Sequence, residues 1–243
     1  MRELNSEVLG QFARRGLKIN EGIAVDTRLV KSASRPLSND EFLPDGQAGR
    51  REREKRERGE ADTDKNGNPI KFRRDLDSDW TVKNDKPHFG LKEHVSVDVN
   101  NGFLLATKLT PASEHDSKYL PYLALGSCHT EEPIEVIYGD KGYYGEPNRS
   151  FLALNDIEDG IMRKDTTTAK ITEYEVERNP ARWSGGKEIS KKRYIVEQYF
   201  GLSHLHDRGY IARFTTIVKN TLDCMFRQMA FNLSRAVKVL GVT

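Results

Sequence analysis

The hydrophobic positions along this chain follow a strand period in its first half and a helix period near its end. Apolar and polar residues alternate over positions 94–99, which is typical of a half-buried strand. The Asn-Asn-Gly turn at 100–102 then predicts a tight hairpin, with 103–109 as the return strand. Helical spacing near the end predicts a long amphipathic helix whose apolar face consists of Val218, Leu222, Met225, Met229, Leu233, Ala236 and Leu240.

The remaining pattern indicates one α/β domain. A short helix is predicted over 4–15 and a first, apolar strand over 23–30. Asp116 is well placed as the N-cap of a helix that runs through 120–125. The pattern continues with a strand over 135–138, a helix over 146–154, a short strand over 160–162 and a helix that contains Glu197. This order predicts a mixed five-stranded sheet with helices on both faces, similar to the ribonuclease H-like fold.

A charged segment interrupts this pattern after the first strand. Positions 32–86 are rich in Pro, Gly, Asp and charge, and 50–60 contain six basic and four acidic residues with nothing apolar. Such a segment is predicted to be an exposed, disordered insertion, because it has little surface to bury. The predicted organisation is a residual N-terminal helix and first strand at 1–31, the insertion at 32–86, and the rest of the domain at 87–243.

Charge and composition narrow the class of protein. Of the 243 residues, those from 178 onward include 12 Lys or Arg against four Asp or Glu, although the net charge is only +2. This asymmetry suits a polyanionic partner, and scattered solvated charge explains it equally well. Cys128 and Cys224 provide neither a disulfide framework nor a zinc knuckle. Without a signal peptide or an apolar run of about 18 residues, we expect a soluble, cytoplasmic protein.

Three acidic residues are candidate metal ligands. Asp26 lies within the first strand, Asp140 directly follows an apolar run, and Glu197 lies on a predicted helix one turn after Arg193. Ionised groups on buried strands require a partner or a metal ion, and carboxylates suit paired Mg²⁺ ions that act on phosphodiesters. Arg193 would then clamp a phosphate or orient a carboxylate. Alternatively, Asp26 ends a strand, and Arg193 and Glu197 form an ordinary surface ion pair.

A basic segment before Glu197 is the candidate nucleic-acid surface. Between Arg178 and Arg193 the chain has six basic residues and one acidic residue, together with a Gly pair. Trp183 in this segment either stacks on an unpaired base or anchors the loop to the core. The candidate DNA-contacting residues are Arg182, Trp183, Lys187, Lys191, Lys192, Arg193 and His204.

Five ordered segments resemble bacterial insertion-sequence transposases of the DDE class, in the IS-four/IS-five superfamily. They are AVDTRLV at 24–30, HFGLKEHVSVD at 88–98, TPASEHDS at 110–117, GDKGY at 139–143, and the Arg193-to-Glu197 spacing. The chain departs from the family's Y-R-E-K signature, because Ser190 replaces its Tyr and His204 its Lys. In this resemblance Asp98 and Asp116 are candidates for the outer shell of the site, although a strand end and an N-cap also explain them.

The resemblance implies Mg²⁺-dependent cleavage at the ends of an insertion sequence, followed by strand transfer, with Mn²⁺ as a possible substitute. It implies that Asp26, Asp140 and Glu197 hold the metal and that Arg193 assists. It also implies double-stranded DNA as the partner, a homodimer in the full-length protein, association with the nucleoid and no membrane. Because the family's N-terminal helical region is reduced to one helix, the chain resembles a truncated copy, an alternative start or an excised domain. The alternatives are an inactive relic that binds DNA or full-length transposase, and a stand-alone metal-dependent nuclease.

Overall fold

The computed structural model describes residues 2–19, 21–34, 75, 77–163 and 188–241, with the isolated positions 58, 60, 66–67, 170 and 172–173. The strands are β1 (Gly22–Lys31), β2 (Asp79–Lys83), β3 (Lys86–Asp98), β4 (Leu104–Pro111), β5 (Val136–Gly139) and β6 (Glu158–Ile161). The α-helices are α1 (Arg2–Arg14), α2 (Leu120–Gly126), α3 (Glu146–Leu154), α4 (Glu188–Asp207) and α5 (Ile217–Val239). Short 3₁₀ turns occupy Asp116–Tyr119 and Lys141–Tyr143.

These strands form one mixed sheet in the order β2-β3-β1-β5-β6, and β4 pairs with the second half of β3. β1 runs antiparallel to β3 and parallel to β5, with Ala24 opposite Tyr138. β5 and β6 are also parallel. The predicted ribonuclease H-like sequence of antiparallel strands followed by parallel ones is therefore confirmed. Its consequence is that β5 ends beside the middle of β1, next to the position of Asp26.

The sixth strand, β2, corrects the predicted boundary of the charged insertion. Asp79–Lys83 lie within the segment assigned as an insertion up to residue 86, yet they pair with the first half of β3. Asn84 and Asp85 both have positive φ angles, 53° and 58°, which is the geometry of a two-residue hairpin turn. The Trp80 ring packs 5.2 Å from that of Phe89. Most of positions 35–74 lie outside the described residues, so their disorder remains a prediction.

Helices cover both faces of the sheet, as predicted. On one face Val25, Leu123 and Leu152 belong to a large apolar cluster that joins β1 to α2 and α3. On the other face Ala24 packs with Val196 and other apolar residues of α4. Because successive side chains of a strand point to opposite faces, Asp26 shares the face of Ala24 and therefore lies on the α4 side.

The terminal helix α5 exists as predicted, but it buries a different face. Val218 is 68% exposed, whereas the buried positions are Asn220, Cys224, Gln228, Asn232 and Ala236. This face is buried because α5 packs along β4, on the side of β4 that does not pair with β3. The Gln228 amide donates to the Leu104 and Leu105 carbonyls, and the Asn232 side chain both accepts from and donates to the Leu104 backbone. These amides satisfy backbone groups that would otherwise be buried without partners.

Candidate active site

Two of the three predicted metal ligands come together at one edge of the sheet. Asp26 is two residues beyond Ala24 on β1, and Asp140 is two residues beyond Tyr138, just after β5 ends. Since Ala24 and Tyr138 are paired, parallel pairing places both carboxylates at neighbouring positions. Burial raises the pKa of Asp26. The positive charge of Arg193 opposes this rise, and the negative charge of Asp140 adds to it. The two acids thus repel each other in a partly dehydrated environment.

The turn after β5 holds the Asp140 carboxylate in place. Asp140 caps the 3₁₀ turn Lys141–Tyr143, because its side chain accepts a hydrogen bond of 2.8 Å from the backbone N–H of Gly142. A Cβ atom on Gly142 would lie 2.9 Å from Asp140 Oδ1 and 3.5 Å from Asp116 Oδ2. Only glycine therefore leaves the space between these two carboxylates open at this position.

Arg193 binds the first aspartate from the opposite element. Its Nη2 donates to Asp26 Oδ2 at 2.9 Å, and the side chains of Arg193 and Asp26 are only 16% and 17% exposed. The predicted carboxylate-orienting role of Arg193 requires a contact of this kind, and the role itself remains a prediction. The alternative, a surface ion pair between Arg193 and Glu197, does not describe this contact.

Glu197 is exposed on α4, one turn after Arg193. Among the residues that the structure describes, no three His, Cys, Asp or Glu side chains lie close enough together to hold a metal ion. The structure therefore does not bring Glu197 into one such group with Asp26 and Asp140, and its role as a metal ligand remains a prediction.

A buried ionic network that sequence reasoning missed fixes α4 against the sheet. Arg28 donates from Nε to Glu93 Oε2 at 2.6 Å and from Nη2 to Ser203 Oγ at 3.0 Å. Tyr199 donates its hydroxyl to the other Glu93 oxygen at 3.1 Å. Glu93 is fully buried, and Arg28 lies opposite it in the pairing of β1 with β3. The network orients the helix that carries Arg193. The only trace of this network in the sequence is a pair of opposite charges, Arg28 and Glu93, on two neighbouring strands.

Asp116 takes a different role from the predicted N-cap. The cap of its 3₁₀ turn is His115, whose side chain accepts from the Ser117 N–H. Asp116 instead receives hydrogen bonds from Thr27 Oγ1 at 3.0 Å and Lys92 Nζ at 2.8 Å. It thus lies beside the residue that follows Asp26, in agreement with the outer-shell reading. Asp98 is the last residue of β3, where its side chain accepts from the Asn101 N–H in the hairpin turn, as a strand-end residue does.

His94 is a neutral neighbour of this group. It is fully buried, its Nε2 forms a hydrogen bond of 2.9 Å with Thr110 Oγ1, and its ring packs at a tilt against the Tyr119 ring, with 4.5 Å between the centroids. Burial lowers the pKa of His94 to about 4, and the nearby Asp116 opposes that effect. His94 is therefore uncharged at neutral pH. The positive charge next to Asp116 comes from Lys92, whose Nζ lies 2.8 Å from Oδ1.

The predicted DNA-contacting residues differ in their surroundings. Lys192 is exposed on α4, and Arg193 is engaged with Asp26. His204 stacks on the Tyr210 ring, with 4.2 Å between the ring centroids. The structure does not describe Arg182, Trp183 or Lys187, nor the side chain of Lys191, so both interpretations of Trp183 stay open.

The chain is similar in sequence to known transposases. The profile of the family described as transposase DDE domain matches residues 25–233. A transposase for insertion sequence element IS1106, from Neisseria meningitidis serogroup B, is 33% identical over 168 residues. That match covers 69% of this chain and 54% of the relative, so the chain spans about half of the relative's length.

Solved structures of Mos1 transposase are more distant. The Mos1 mariner paired end complex with Mn aligns with 65% of this chain and 40% of its own, at 12% identity and a TM-score of 0.27. A pre-cleavage Mos1 transpososome aligns with 98% of this chain and 60% of its own, at 12% identity and a TM-score of 0.29. These scores are too low to support a structural inference. In the described part of the chain, no helix has both the length and the apolar character of a membrane span.

Proposed function

Because this chain belongs to the transposase DDE domain family, we propose that it cleaves DNA at the ends of an insertion sequence and joins those ends to target DNA. The observation that carries the proposal is that Asp26, within β1, lies beside Asp140, at the edge where the adjacent parallel strand β5 ends. Ligand sites of α/β sheets occur at such an edge. Double-stranded DNA is the proposed substrate.

The residues at this edge fit a hydrated divalent cation. Carboxylate oxygens are the ligands that Mg²⁺ prefers, and it usually keeps several waters alongside one or two carboxylates. Asp26 and Asp140 would hold the ion, and the glycine at position 142 leaves the space beside Asp140 open. Glu197 is the proposed ligand of a second ion, and Mn²⁺ is the proposed substitute for Mg²⁺. When bound, such ions activate the attacking oxygen and stabilise the leaving one.

Other residues near Asp26 and Asp140 would orient these carboxylates and bind DNA. Arg193 donates a hydrogen bond to Asp26 Oδ2, and the Thr27 N–H donates one of 2.8 Å to Asp26 Oδ1. Both oxygens of this carboxylate are therefore oriented. Water would attack the phosphodiester at the element end, and the freed 3′-hydroxyl would then attack a target phosphodiester in line. The exposed Lys192 is a proposed phosphate contact near this edge. The other proposed DNA contacts are Arg182, Trp183, Lys187, Lys191, Arg193 and His204.

The assembly and the cellular site belong to the same proposal. A homodimer of the full-length protein would hold two element ends together, and DNA binding would place the protein on the nucleoid in the cytoplasm. No described feature favours a stand-alone nuclease or an inactive relic.

The test uses a linear DNA that carries the genomic sequences flanking this gene, incubated with the purified chain and Mg²⁺. Wild type should nick at the element ends and join the 3′ ends to a plasmid. Asp140→Asn should abolish both steps while DNA retention in a gel-shift assay persists. Asp156→Asn is the matched control, because Asp156 is exposed at a positive φ angle that Asn also tolerates. Cleavage without joining would support the nuclease instead, and DNA binding with neither step would support the relic.

A further inference from the structure

A third acidic residue lies beside the two proposed metal ligands. Asp116 Oδ2 and Asp140 Oδ1 border the same small space, since both lie within 3.5 Å of the point where a Gly142 Cβ would be. Asp116 approaches from the turn after β4, whereas Asp26 lies within β1 and Asp140 follows β5. The sequence makes Asp116 a candidate for the outer shell of the site but assigns it no contact with the ion or its waters.

The Asp116 carboxylate is fixed but not saturated. Lys92 donates to Oδ1 and Thr27 to Oδ2, one hydrogen bond for each oxygen. A carboxylate oxygen accepts about two hydrogen bonds, so each oxygen of Asp116 retains an acceptor site. The side chain is 23% exposed, so water reaches it.

The Tyr143 hydroxyl supplies independent support for a ligand here. Tyr143 is fully buried, and its hydroxyl has no hydrogen-bond partner among the described residues. Asp26, Asp116 and Asp140 all act on it electrostatically, and burial is the largest cause of its raised pKa. A buried hydroxyl without a partner is costly, whereas a water molecule among these carboxylates would satisfy it.

On the premise of the proposed function, we propose that Asp116 is a positioning residue for the cation, which it binds through the ion's water shell. Direct coordination is disfavoured because Lys92 already neutralises Asp116 and because no three acids are close enough to share an ion in the described residues. A hydrated Mg²⁺ held by Asp26 and Asp140 would donate water hydrogens to Asp116. Tyr143 would hydrogen-bond to the same water layer. Residues that contact a metal's ligands in this way typically affect its affinity about 10- to 100-fold.

The experiment is a Mn²⁺ titration of the full chain, with free Mn²⁺ followed by electron paramagnetic resonance. Asp116→Asn should weaken Mn²⁺ binding about tenfold. Thr27→Val, which removes one donor to Asp116, and Tyr143→Phe, which removes only the hydroxyl, should each weaken it about threefold. Glu114→Gln is the matched control, because Glu114 lies two residues away and pairs with Lys118 at the surface.

Thermal unfolding separates this role from a purely structural one. Asp116→Asn should lower the Tm without the ion, because Lys92 loses its partner, and should also lose most of the increase in Tm that Mn²⁺ produces in wild type. Wild-type Mn²⁺ affinity in Asp116→Asn, with Asp140→Asn still impaired, would overturn this inference and leave the proposed function standing. A wild-type chain that binds no Mn²⁺, or binding that Asp140→Asn does not alter, would overturn both.

Discussion

Arg193 on α4 donates a hydrogen bond of 2.9 Å to Asp26 on β1, across 167 positions of the chain. This contact places a positive charge next to two acids that otherwise repel each other. The guanidinium therefore compensates in part for the charge that a divalent cation would neutralise. Arg193 and the proposed ion both place positive charge beside Asp26. The presence of Arg193 should therefore lower the affinity of the site for the ion.

Arg193→Met should consequently lower stability and raise metal affinity. Without the ion, removal of a charged hydrogen-bond partner from a mostly buried carboxylate should reduce the free energy of unfolding by about 2 kcal/mol. Mn²⁺ should bind about threefold more tightly or better, because a competing positive charge is gone. Urea unfolding and Mn²⁺ titration measure the two effects. Lys192→Met, which removes an exposed charge from the same helix, should change neither by as much. Weaker Mn²⁺ binding in Arg193→Met would contradict this opposition.

Gly142→Ala should impair the site without unfolding the protein. The new Cβ would lie 2.9 Å from Asp140 Oδ1, so the carboxylate has to rotate away from its hydrogen bond to the turn. We expect Mg²⁺-dependent nicking to fall by about tenfold or more, with a small change in Tm. Gly201→Ala is the control, because its Cβ would meet nothing within 4 Å and alanine favours the helix. Equal nicking by the two variants would show that Gly142 does not shape the site.

Glu93→Gln should be strongly destabilising. It leaves the guanidinium of Arg28 mostly buried without its anionic partner, and the loss of one member of a buried pair costs about 3 kcal/mol. Glu114→Gln removes an acid from an exposed i,i+4 pair with Lys118 and should change stability by less than about 0.5 kcal/mol. Chemical unfolding of both variants measures the difference. Similar values would mean that the network does not anchor α4.

His94 should make stability fall with pH below neutrality. The pKa of His94 is about 4 in the folded chain and 6.5 in its reference state. A lowered histidine pKa means that the unfolded chain binds more protons between these values, so folding stability falls as the pH drops from about 6.5 towards 4. At pH 5 the loss should be about 2 kcal/mol relative to pH 7.

The comparison for this effect is His94→Gln, which cannot titrate. Urea unfolding at pH 7 and pH 5 should show a smaller decrease for this variant than for wild type. A decrease of the same size in both proteins would assign the acid sensitivity to other groups.

The sequence predicted the elements whose pattern follows local chemistry. Alternation and an Asn-Asn-Gly turn predicted the β3–β4 hairpin, and Gly102 indeed has a φ of 75°. The strand β2 was missed because a charged neighbourhood masked the Asn84-Asp85 turn. The buried face of α5 was predicted wrongly, because periodicity assigns apolar residues to the core and cannot anticipate that Gln228 and Asn232 bind the backbone of β4.

The site was predictable to a similar extent. The sequence places Asp26 within one apolar strand and Asp140 directly after another, and the parallel pairing of β1 with β5 brings these two positions side by side. The role of Asp116 was obscured, because an acid before a helix resembles an N-cap. Only tertiary contacts with Thr27 and Lys92 distinguish the two roles. The position of Glu197 relative to the aspartates likewise depends on packing that no local pattern encodes.

The most direct test of a cation site between Asp26 and Asp140 is a crystal structure of this chain grown or soaked with Mn²⁺ and measured at a wavelength where manganese scatters anomalously. We predict an anomalous peak within about 2.5 Å of a carboxylate oxygen of each aspartate. A well-ordered crystal in which Mn²⁺ binds only elsewhere, with Asp26 and Asp140 unligated at saturating Mn²⁺, would contradict it.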